Sequence, residues 1–399
     1  MFSLSVAELI AKLTGLITSA ILARMIAPEG YGVLGFATAF ISYFLIIVSF
    51  GLDSYGTREI SRDNSIISKL VNNVLTFRLM FALFCYLVLT VIVSQSGKPQ
   101  IVKTVILITG ISIFTNAISI SWVFQGIEKM KFVAARQTVA SLLTLAGVLL
   151  FVNQSNGIIA ASIIISAAGI ISSSGLILFY RRFLYPISFE IDFTYLKLIL
   201  RESFPIALSG VMIAVYYNMD MIMMGYLRPE YETGIYSAAY KIFLISIIPF
   251  QLILNAFFPS LSRNNKDKTD SLKKTIAQYA YLMFAAGIIS GIVLMVFAKY
   301  LILLIFGSGY LTAISPLSIL SLNTAVISVN MTFGNPLLAW GKQKQYLIVI
   351  TFGALTNVVL NYLLIPHYSY IGAAFATLLS EAVVFVGVAF YFFKFTRNI

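Results

Sequence analysis

Basic residues inside long apolar runs are the parts of this sequence most able to do chemistry. A charge at the centre of a membrane helix costs about 2.5–3.5 kcal/mol on insertion scales, so its presence there needs a reason. Lys supplies a compact point charge and Arg a planar fork that suits phosphate oxygens, so such residues could hold an anion. The candidates are Lys12, Arg24, Arg78 and Lys241.

Each candidate also has a purely structural interpretation. Glu8 precedes Lys12 by four residues, so the two side chains share one helix face and could neutralise each other. Arg24 and Arg78 lie toward the ends of their apolar runs, where long side chains extend to the lipid headgroups. The sequence leaves both interpretations open.

A second group of side chains offers oxygen atoms at a single depth in the membrane. Asn357 and Asn361 are one helical turn apart, and the other members lie in different apolar runs, at Asp220 and Thr377. One carboxylate, two amide carbonyls and one hydroxyl suit a small hard cation such as Na⁺. The alternative is a simple ion pair between Asp220 and Lys241, which lies at the same depth.

Glu381 lies in the middle of the last apolar run. Burial disfavours the charged form of a carboxyl group, so Glu381 could take up and release a proton in coupled transport. It could equally be hydrogen-bonded at a helix interface and be inert.

The composition fits a chain whose main solvent is lipid. Apolar residues make up 59% of the 399 residues and charged residues only 11%, which excludes an ordinary soluble enzyme or a DNA-binding domain. The formal charge of +12 is then attributed to cytoplasmic loops rather than to nucleic-acid binding. One cysteine, Cys85, and one histidine, His367, exclude a thiolate cluster and a His-based zinc site.

Runs long enough to cross a bilayer predict an all-α polytopic membrane protein with twelve transmembrane helices. The runs are 3–25, 33–52, 71–94, 101–124, 132–152, 158–180, 198–226, 235–258, 274–297, 313–334, 345–366 and 371–393. Lys and Arg concentrate in alternate breaks between these runs, which places both termini in the cytoplasm. Trp122 and Trp340 end runs on the cytoplasmic side, as interfacial anchors do.

An internal repeat divides the predicted helices into two halves. MIAPEGYGVL at 25–34 is similar to YLRPEYETGIY at 226–236, and FQGIEKMKF at 124–132 is similar to AWGKQKQYL at 339–347, which pairs Gly126 with Gly341. The predicted organisation is a six-helix half at 1–180, a basic cytoplasmic linker at 181–197 and a second six-helix half at 198–399. Because six is even, the halves are parallel, and they enclose a central cavity suited to alternating access.

Three longer segments resemble a known family. ILARMIAPEGYGVLGFATAF at 21–40, LLAWGKQKQY at 337–346 and NYLLIPHYSYIGAAFATLLSE at 361–381 are similar to signatures of the polysaccharide-biosynthesis flippases. These are O-antigen and lipid-linked oligosaccharide exporters of the multidrug/oligosaccharidyl-lipid/polysaccharide exporter superfamily. The resemblance implies a multi-pass protein of the cytoplasmic (inner) membrane. It would move undecaprenyl-pyrophosphate-linked oligosaccharide units from the inner to the outer leaflet for surface polysaccharide biosynthesis.

The resemblance also bears on the coupling ion and the partners. Peptidoglycan-precursor flippases of this superfamily have a sodium site built from Asp, Asn, an acidic residue and Thr, which carries over to Asp220, Asn357, Asn361 and Thr377. Asn361 departs from that pattern, because an amide replaces the acid. We expect no cofactor beyond coupled Na⁺ or H⁺. The expected partners are the lipid-linked oligosaccharide, membrane lipids and polysaccharide polymerase machinery, with no nucleic acid.

Two other functions compete with the flippase. One is a cation-coupled multidrug exporter of the same superfamily, which would need an acidic rather than a basic cavity. The other is a polytopic glycan polymerase or ligase, which usually needs a large outer loop that this sequence lacks. No P-loop and no nucleophile–base motif is present in the sequence, so we expect a transporter and not an enzyme.

Overall fold

The computed structural model describes residues 2–153, 156–263 and 270–396, and it is all-helical within those ranges. The first helices are α1 (Phe2–Ser49), α2 (Leu52–Arg62), α3 (Ile67–Gln95), α4 (Gln100–Gly110), α5 (Ser112–Ala117), α6 (Ser121–Gly126), α7 (Met130–Phe151) and α8 (Gly157–Phe183). They are followed by α9 (Phe193–Leu227), α10 (Glu230–Ser246), α11 (Ile248–Arg263), α12 (Asp270–Ile305), α13 (Ile314–Ala339) and α14 (Gln343–Thr396). Short 3₁₀ turns at Asn64–Ile66 and Ser308–Ala313 precede α3 and α13.

The described residues contain ten helical segments long and apolar enough to cross a membrane. An all-helical, multi-pass membrane protein is therefore confirmed. Two of these segments are unusually long: Ile10–Arg62, which covers most of α1 and all of α2, has 53 residues, and Gln343–Thr396, which is α14, has 54. A straight helix of that length would measure about 80 Å, well beyond the roughly 30 Å of the hydrocarbon core.

Both long helices contain one residue that breaks the helical geometry. In α1 it is Ala27 (φ 57°, ψ 174°), directly before Pro28. The hydroxyl groups of Ser19 and Tyr31 are 2.6 Å apart, although twelve residues of straight helix would separate them by about 18 Å. The chain therefore turns back on itself at Ala27.

Helix α14 breaks in the same way at Ser369 (φ 52°, ψ −134°), three residues after Pro366. A Cβ atom on Gly372 would lie 2.5 Å from the carbonyl oxygen of Leu364, so only glycine permits this close return of the chain. Each long helix thus consists of two limbs joined by a sharp turn.

The chain forms two compact units that divide between Ala214 and Val215, within α9. We call them the N-unit and the C-unit. The predicted linker at 181–197 lies before this division, and its role as a domain boundary stays a prediction. Its non-helical part packs against α3: the Asn72 side chain donates to Ser188 Oγ at 2.6 Å.

Asp192 completes this packing of the linker. Lys69 Nζ lies 2.9 Å from its carboxylate. The backbone N–H of Tyr195 and then Lys69 hold the pKa of Asp192 below its usual value. The linker is therefore part of the N-unit surface.

Equivalent turns end α6 in the N-unit and α13 in the C-unit. In the first, Glu128 has a left-handed φ of 58° and the amide of Lys129 donates to Phe124 O at 2.8 Å. In the second, Gly341 has φ 72° and the amide of Lys342 donates to Leu337 O at 2.8 Å. Both are Schellman caps. The backbone pairs Gly341 with Glu128, two residues beyond the Gly126 that the sequence comparison chose.

The core of the N-unit corrects the prediction for Trp122. Its ring is 2% exposed and packs on Gly56, where an added Cβ would lie 2.4 Å from the ring. Trp122 therefore fixes α2 against α6 rather than anchoring the chain at an interface. Trp340 is also buried, at 7% exposure, and its ring lies 5.7 Å from that of Phe392.

Candidate functional site

The predicted site residue that the most buried side chains surround is Asp220, on α9 in the C-unit. Its side chain is 2% exposed and accepts three hydrogen bonds from neutral donors. The donors are Asn361 Nδ2 at 2.5 Å, Thr377 Oγ1 at 2.6 Å and Tyr236 Oη at 2.7 Å. They come from α10 and from both limbs of α14, so the turn at Ser369 is what brings Asn361 and Thr377 to one carboxylate.

Asn357 joins this group through Asn361. The two side chains are one turn apart on α14, and Asn361 Nδ2 donates to Asn357 Oδ1 at 2.9 Å. Asn361 is fully buried, and its Oδ1 atom has no hydrogen-bond partner among the described residues. The structure therefore brings together all four residues of the predicted cation site and leaves one carbonyl oxygen available.

Tyr236 is the member of this cluster that the sequence analysis missed. It is fully buried, and its hydroxyl also lies 3.3 Å from Thr377 Oγ1. Its position in the eighth apolar run, a few residues from Lys241, was the available signal.

The alternative pairing of Asp220 with Lys241 is not observed. Among the described residues, the ion pairs within 4 Å include neither of the two. Asp220 is thus a buried carboxyl group surrounded by neutral groups. An isolated carboxylate in low dielectric is strongly disfavoured, so such a site takes up either a cation or a proton.

Glu381 forms a second buried carboxyl site on α14. It is 5% exposed, and Asn330 Nδ2 on α13 donates both to its Oε2 at 2.5 Å and to its backbone carbonyl at 3.0 Å. Ser380, the preceding residue, lies 3.5 Å from Asn357 Nδ2. The two carboxyl sites are therefore neighbours within one buried polar network of the C-unit.

The buried charge of the N-unit, on Arg78, is paired with a carboxylate. Arg78 on α3 is 1% exposed, and its Nη1 donates to Asp53 Oδ1 at 2.9 Å. Its Nη2 donates to the Ser49 carbonyl at 3.0 Å, and Ser49 Oγ donates to Asp53 Oδ2 at 2.8 Å. Arg78 thus holds the corner between α1 and α2, and its charge is compensated by Asp53.

The other two basic candidates of the N-unit lie on α1 and are exposed. Arg24 lines a cleft of about 440 Å³ beside the turn at Ala27, together with Asn156 and Gly157 at the start of α8. The α1 limb from Ala27 to Ser49 separates this cleft from Arg78 by about 30 Å. The structure therefore does not bring Arg24 and Arg78 together.

Metal clusters of the His, Cys, Asp and Glu type are absent from the part of the chain that the structure describes. A cation at the Asp220 site would be held by one carboxylate together with neutral oxygens. Such a donor set suits a monovalent hard ion rather than zinc or a transition metal.

Comparison with known proteins places this all-helical chain in a family. The model for the family described as polysaccharide biosynthesis protein matches residues 1–265, and the MatE model matches residues 205–363. The first match covers more than half of the chain, so the protein belongs to the polysaccharide biosynthesis protein family. The resemblance noted in the sequence is thereby confirmed.

Individual relatives and solved structures are similar to this protein over almost the whole chain. A candidate O-antigen transporter of Shigella dysenteriae is 25% identical over 90% of this chain and 91% of its own length. An inward-facing multidrug resistance MATE family transporter superimposes with a TM-score of 0.77 at 16% identity, covering 97% of this chain and 96% of that one. The lipid II flippase MurJ in an inward closed conformation gives 0.74 at 16% identity, covering 100% and 90%. The fold is therefore that of these transporters.

Proposed function

We propose that this protein is a flippase for undecaprenyl-pyrophosphate-linked oligosaccharide units, moving them from the inner to the outer leaflet of the cytoplasmic membrane by alternating access. The observation that carries the proposal is similarity, over nine-tenths of both chains, to a candidate O-antigen transporter. Membership of the polysaccharide biosynthesis family supports it. The test is glycan display in a flippase-deleted host: the parent gene should restore surface glycan for at least one type of repeat unit.

The proposal includes twelve crossings with both termini in the cytoplasm. Ten candidate segments become twelve crossings when the limbs of α1 and α14 are counted separately. Cys85 is the single cysteine, so a Cys85→Ser background permits site-specific labelling. A membrane-impermeant maleimide should label Lys98→Cys and spare Arg62→Cys in intact cells. The reverse pattern would invert the topology.

The proposed coupling ion is Na⁺ at the Asp220 site. The residues fit it, because a buried carboxylate and the unpartnered carbonyl oxygen of Asn361 belong to one cluster. Asn357, Thr377 and Tyr236 would supply the remaining oxygens. A bound cation would compensate the buried charge and favour the state of the transporter that holds it. Glu381 is the proposed proton-coupling carboxyl.

The proposed contacts for the substrate's phosphates are Lys12, Arg24, Arg78 and Lys241. Arg78 is engaged in the ion pair with Asp53, so its contribution would be to position the α1–α2 corner. Lys12→Ala, Arg24→Ala and Lys241→Ala should lower glycan export without lowering protein abundance in the membrane. Contacts with polysaccharide polymerase machinery belong to the same proposal.

The second candidate function is a cation-coupled multidrug exporter. The MatE match at residues 205–363 and the TM-score of 0.77 to a multidrug transporter favour it. Drug-resistance assays in an exporter-deficient host distinguish the two functions. Increased resistance to cationic drugs without any restored glycan display would support the exporter.

A further inference from the structure

An ion pair between the end of α9 and the first turn of α10 contacts the turn of α14 in the C-unit. The Arg228 guanidinium donates to both carboxylate oxygens of Glu232, at 2.6 Å from Nε and 3.1 Å from Nη2. Its remaining nitrogen, Nη1, donates to the Pro366 carbonyl at 3.3 Å, and Ser369 Oγ donates to Glu232 Oε2. One ion pair therefore holds α14 both at its turn and just before it.

The turn that this ion pair holds has an unfavourable backbone. Ser369 has φ 52° and ψ −134°, a conformation that residues other than glycine rarely adopt. Such a residue keeps its conformation only where the surrounding contacts hold it in place. The bond from Ser369 to Glu232 and the bond from Arg228 to Pro366 supply contacts of this kind.

The same turn sets the separation of two side chains that donate to Asp220. Asn361 lies eight residues before Ser369, and Thr377 lies eight residues after it. At 1.5 Å per residue, each is about 12 Å along its limb of α14 from the turn. Asn361 donates to Asp220 Oδ1 at 2.5 Å and Thr377 donates to Oδ2 at 2.6 Å. A change in the angle between the limbs would therefore move these donors away from the carboxylate.

Glu232 is also connected to the Asp220 cluster through its own helix. Tyr236 follows Glu232 by one turn on α10, so the two side chains lie on the same helix face. Tyr236 Oη donates to Asp220 Oδ2 at 2.7 Å. Glu232 thus lies one helical turn from a donor of the cluster on α10, and it fixes the turn that joins the donors on α14.

We propose that Arg228 and Glu232 are positioning residues for the Asp220 cation site, because they fix the α14 turn so that Asn361 and Thr377 reach one carboxylate. The proposal rests on the proposed function, in which Asp220 binds Na⁺. The side chains of Arg228 and Glu232 are 29% and 22% exposed, whereas Asp220 is 2% exposed. The pair therefore acts on the site through α14 and not by holding the ion.

The test is thermal unfolding of the purified full-length protein in nanodiscs, with Na⁺ as the probe and KCl replacing NaCl at constant ionic strength. The measured quantity is the NaCl concentration that gives half of the full stabilisation. Glu232→Gln should raise this concentration about tenfold or more, as expected when a residue that orients metal ligands is lost. Arg228→Lys keeps the charge but loses the planar fork, so its value should fall between those of the parent and Glu232→Gln.

The matched control is Glu59→Gln in the N-unit. Glu59 forms ion pairs with Arg58 and Arg62, and its side chain is 23% exposed, close to the value for Glu232. This variant should need the same NaCl concentration as the parent. An equal shift in Glu59→Gln and Glu232→Gln would overturn the proposal, because loss of any surface carboxylate would then explain the result.

Arg228→Gln separates positioning from a simple effect of charge. Glu232 is negative and Arg228 is positive, so removing one charge or the other would shift Na⁺ affinity in opposite directions if only their fields mattered. Positioning predicts instead that Glu232→Gln and Arg228→Gln both weaken Na⁺ binding. Tighter binding by Arg228→Gln would overturn the proposal.

Unfolding in KCl alone shows whether each variant is folded. A partly exposed ion pair contributes little to global stability, so the variants should unfold close to the parent. If Glu232→Gln does not fold, Arg228→Lys decides, and an unchanged NaCl requirement in that variant overturns the inference. An unchanged requirement in folded Glu232→Gln also overturns it and leaves the sodium site intact. A parent protein that is equally stable in both salts overturns the sodium site and this inference together.

Discussion

In the N-unit, the buried Arg78 faces the carboxylate of Asp53 at 2.9 Å, whereas in the C-unit the buried Asp220 is surrounded by neutral donors at 2.5–2.7 Å. The first charge is compensated by the chain itself, so the pair stabilises a fixed corner of the fold. The second is a buried carboxyl group held by neutral donors, which under the proposed function takes up a cation or a proton. The difference separates a structural charge from one suited to ion coupling, although the sequence placed both in apolar runs.

The largest expected effect tests the structural role of the ion pair between Arg78 and Asp53. Asp53→Ala leaves the buried Arg78 without its carboxylate, which should lower the free energy of unfolding by about 3–5 kcal/mol. The measurement is thermal unfolding of the purified protein. Asp53→Ala combined with Arg78→Met should recover part of the loss, since no unpaired charge remains. A stable Asp53→Ala protein would show that Arg78 is not held by this pair.

The second prediction tests the proposed role of Asp220 in ion coupling. Asp220→Asn keeps a hydrogen-bonding group of the same size, so the free energy of unfolding without Na⁺ should change by only about 1 kcal/mol. The parent should gain about 2.7 kcal/mol when Na⁺ is a hundredfold above its dissociation constant, and the variant should gain nothing. Unfolding in NaCl against KCl checks this. Equal stability of the parent in both salts would contradict the sodium site.

A third prediction separates the two carboxyl groups of the C-unit. The amide of Glu381→Gln can still accept a hydrogen bond from Asn330 Nδ2, and it can donate one to the unpartnered Oδ1 of Asn330. The free energy of unfolding should therefore change by no more than about 1 kcal/mol. Export driven by an imposed proton gradient should be lost, because an amide cannot carry the proton. Transport in proteoliposomes checks this. A Glu381→Gln protein that still responds to the proton gradient would assign Glu381 to helix packing.

The smallest effect concerns the matching turns after α6 and α13. Glu128 adopts a left-handed backbone that glycine occupies in the other unit, at Gly341. Glu128→Gly should therefore stabilise the protein by about 1 kcal/mol, and Gly341→Glu should cost a similar amount. Open space around the Gly341 Cβ position means that steric clash does not add to this cost. Thermal unfolding of both variants would show whether the two caps are equivalent.

The sequence alone predicted much of this architecture, because crossing a membrane imposes a simple rule on length and polarity. The twelve apolar runs fall on ten candidate membrane segments, and Asp220, Asn357, Asn361 and Thr377 do meet in one cluster. They were found because residues at the same depth on neighbouring helices tend to be close. The alternative ion pair between Asp220 and Lys241 is not observed, because a shared depth does not fix the direction in which each side chain points.

Only the tertiary structure decided which buried groups are partners. Arg78 and Asp53 are 25 residues apart on different helices, and the corner at Gly51 brings them together. Tyr236 reaches Asp220 across the turn between α9 and α10, where Tyr240 also donates to the Tyr217 carbonyl. Hydropathy follows directly from the residue types along the chain. The hydrogen-bond or ion-pair partner of a buried side chain depends instead on how each helix is rotated and packed, and the sequence determines that only through the whole fold.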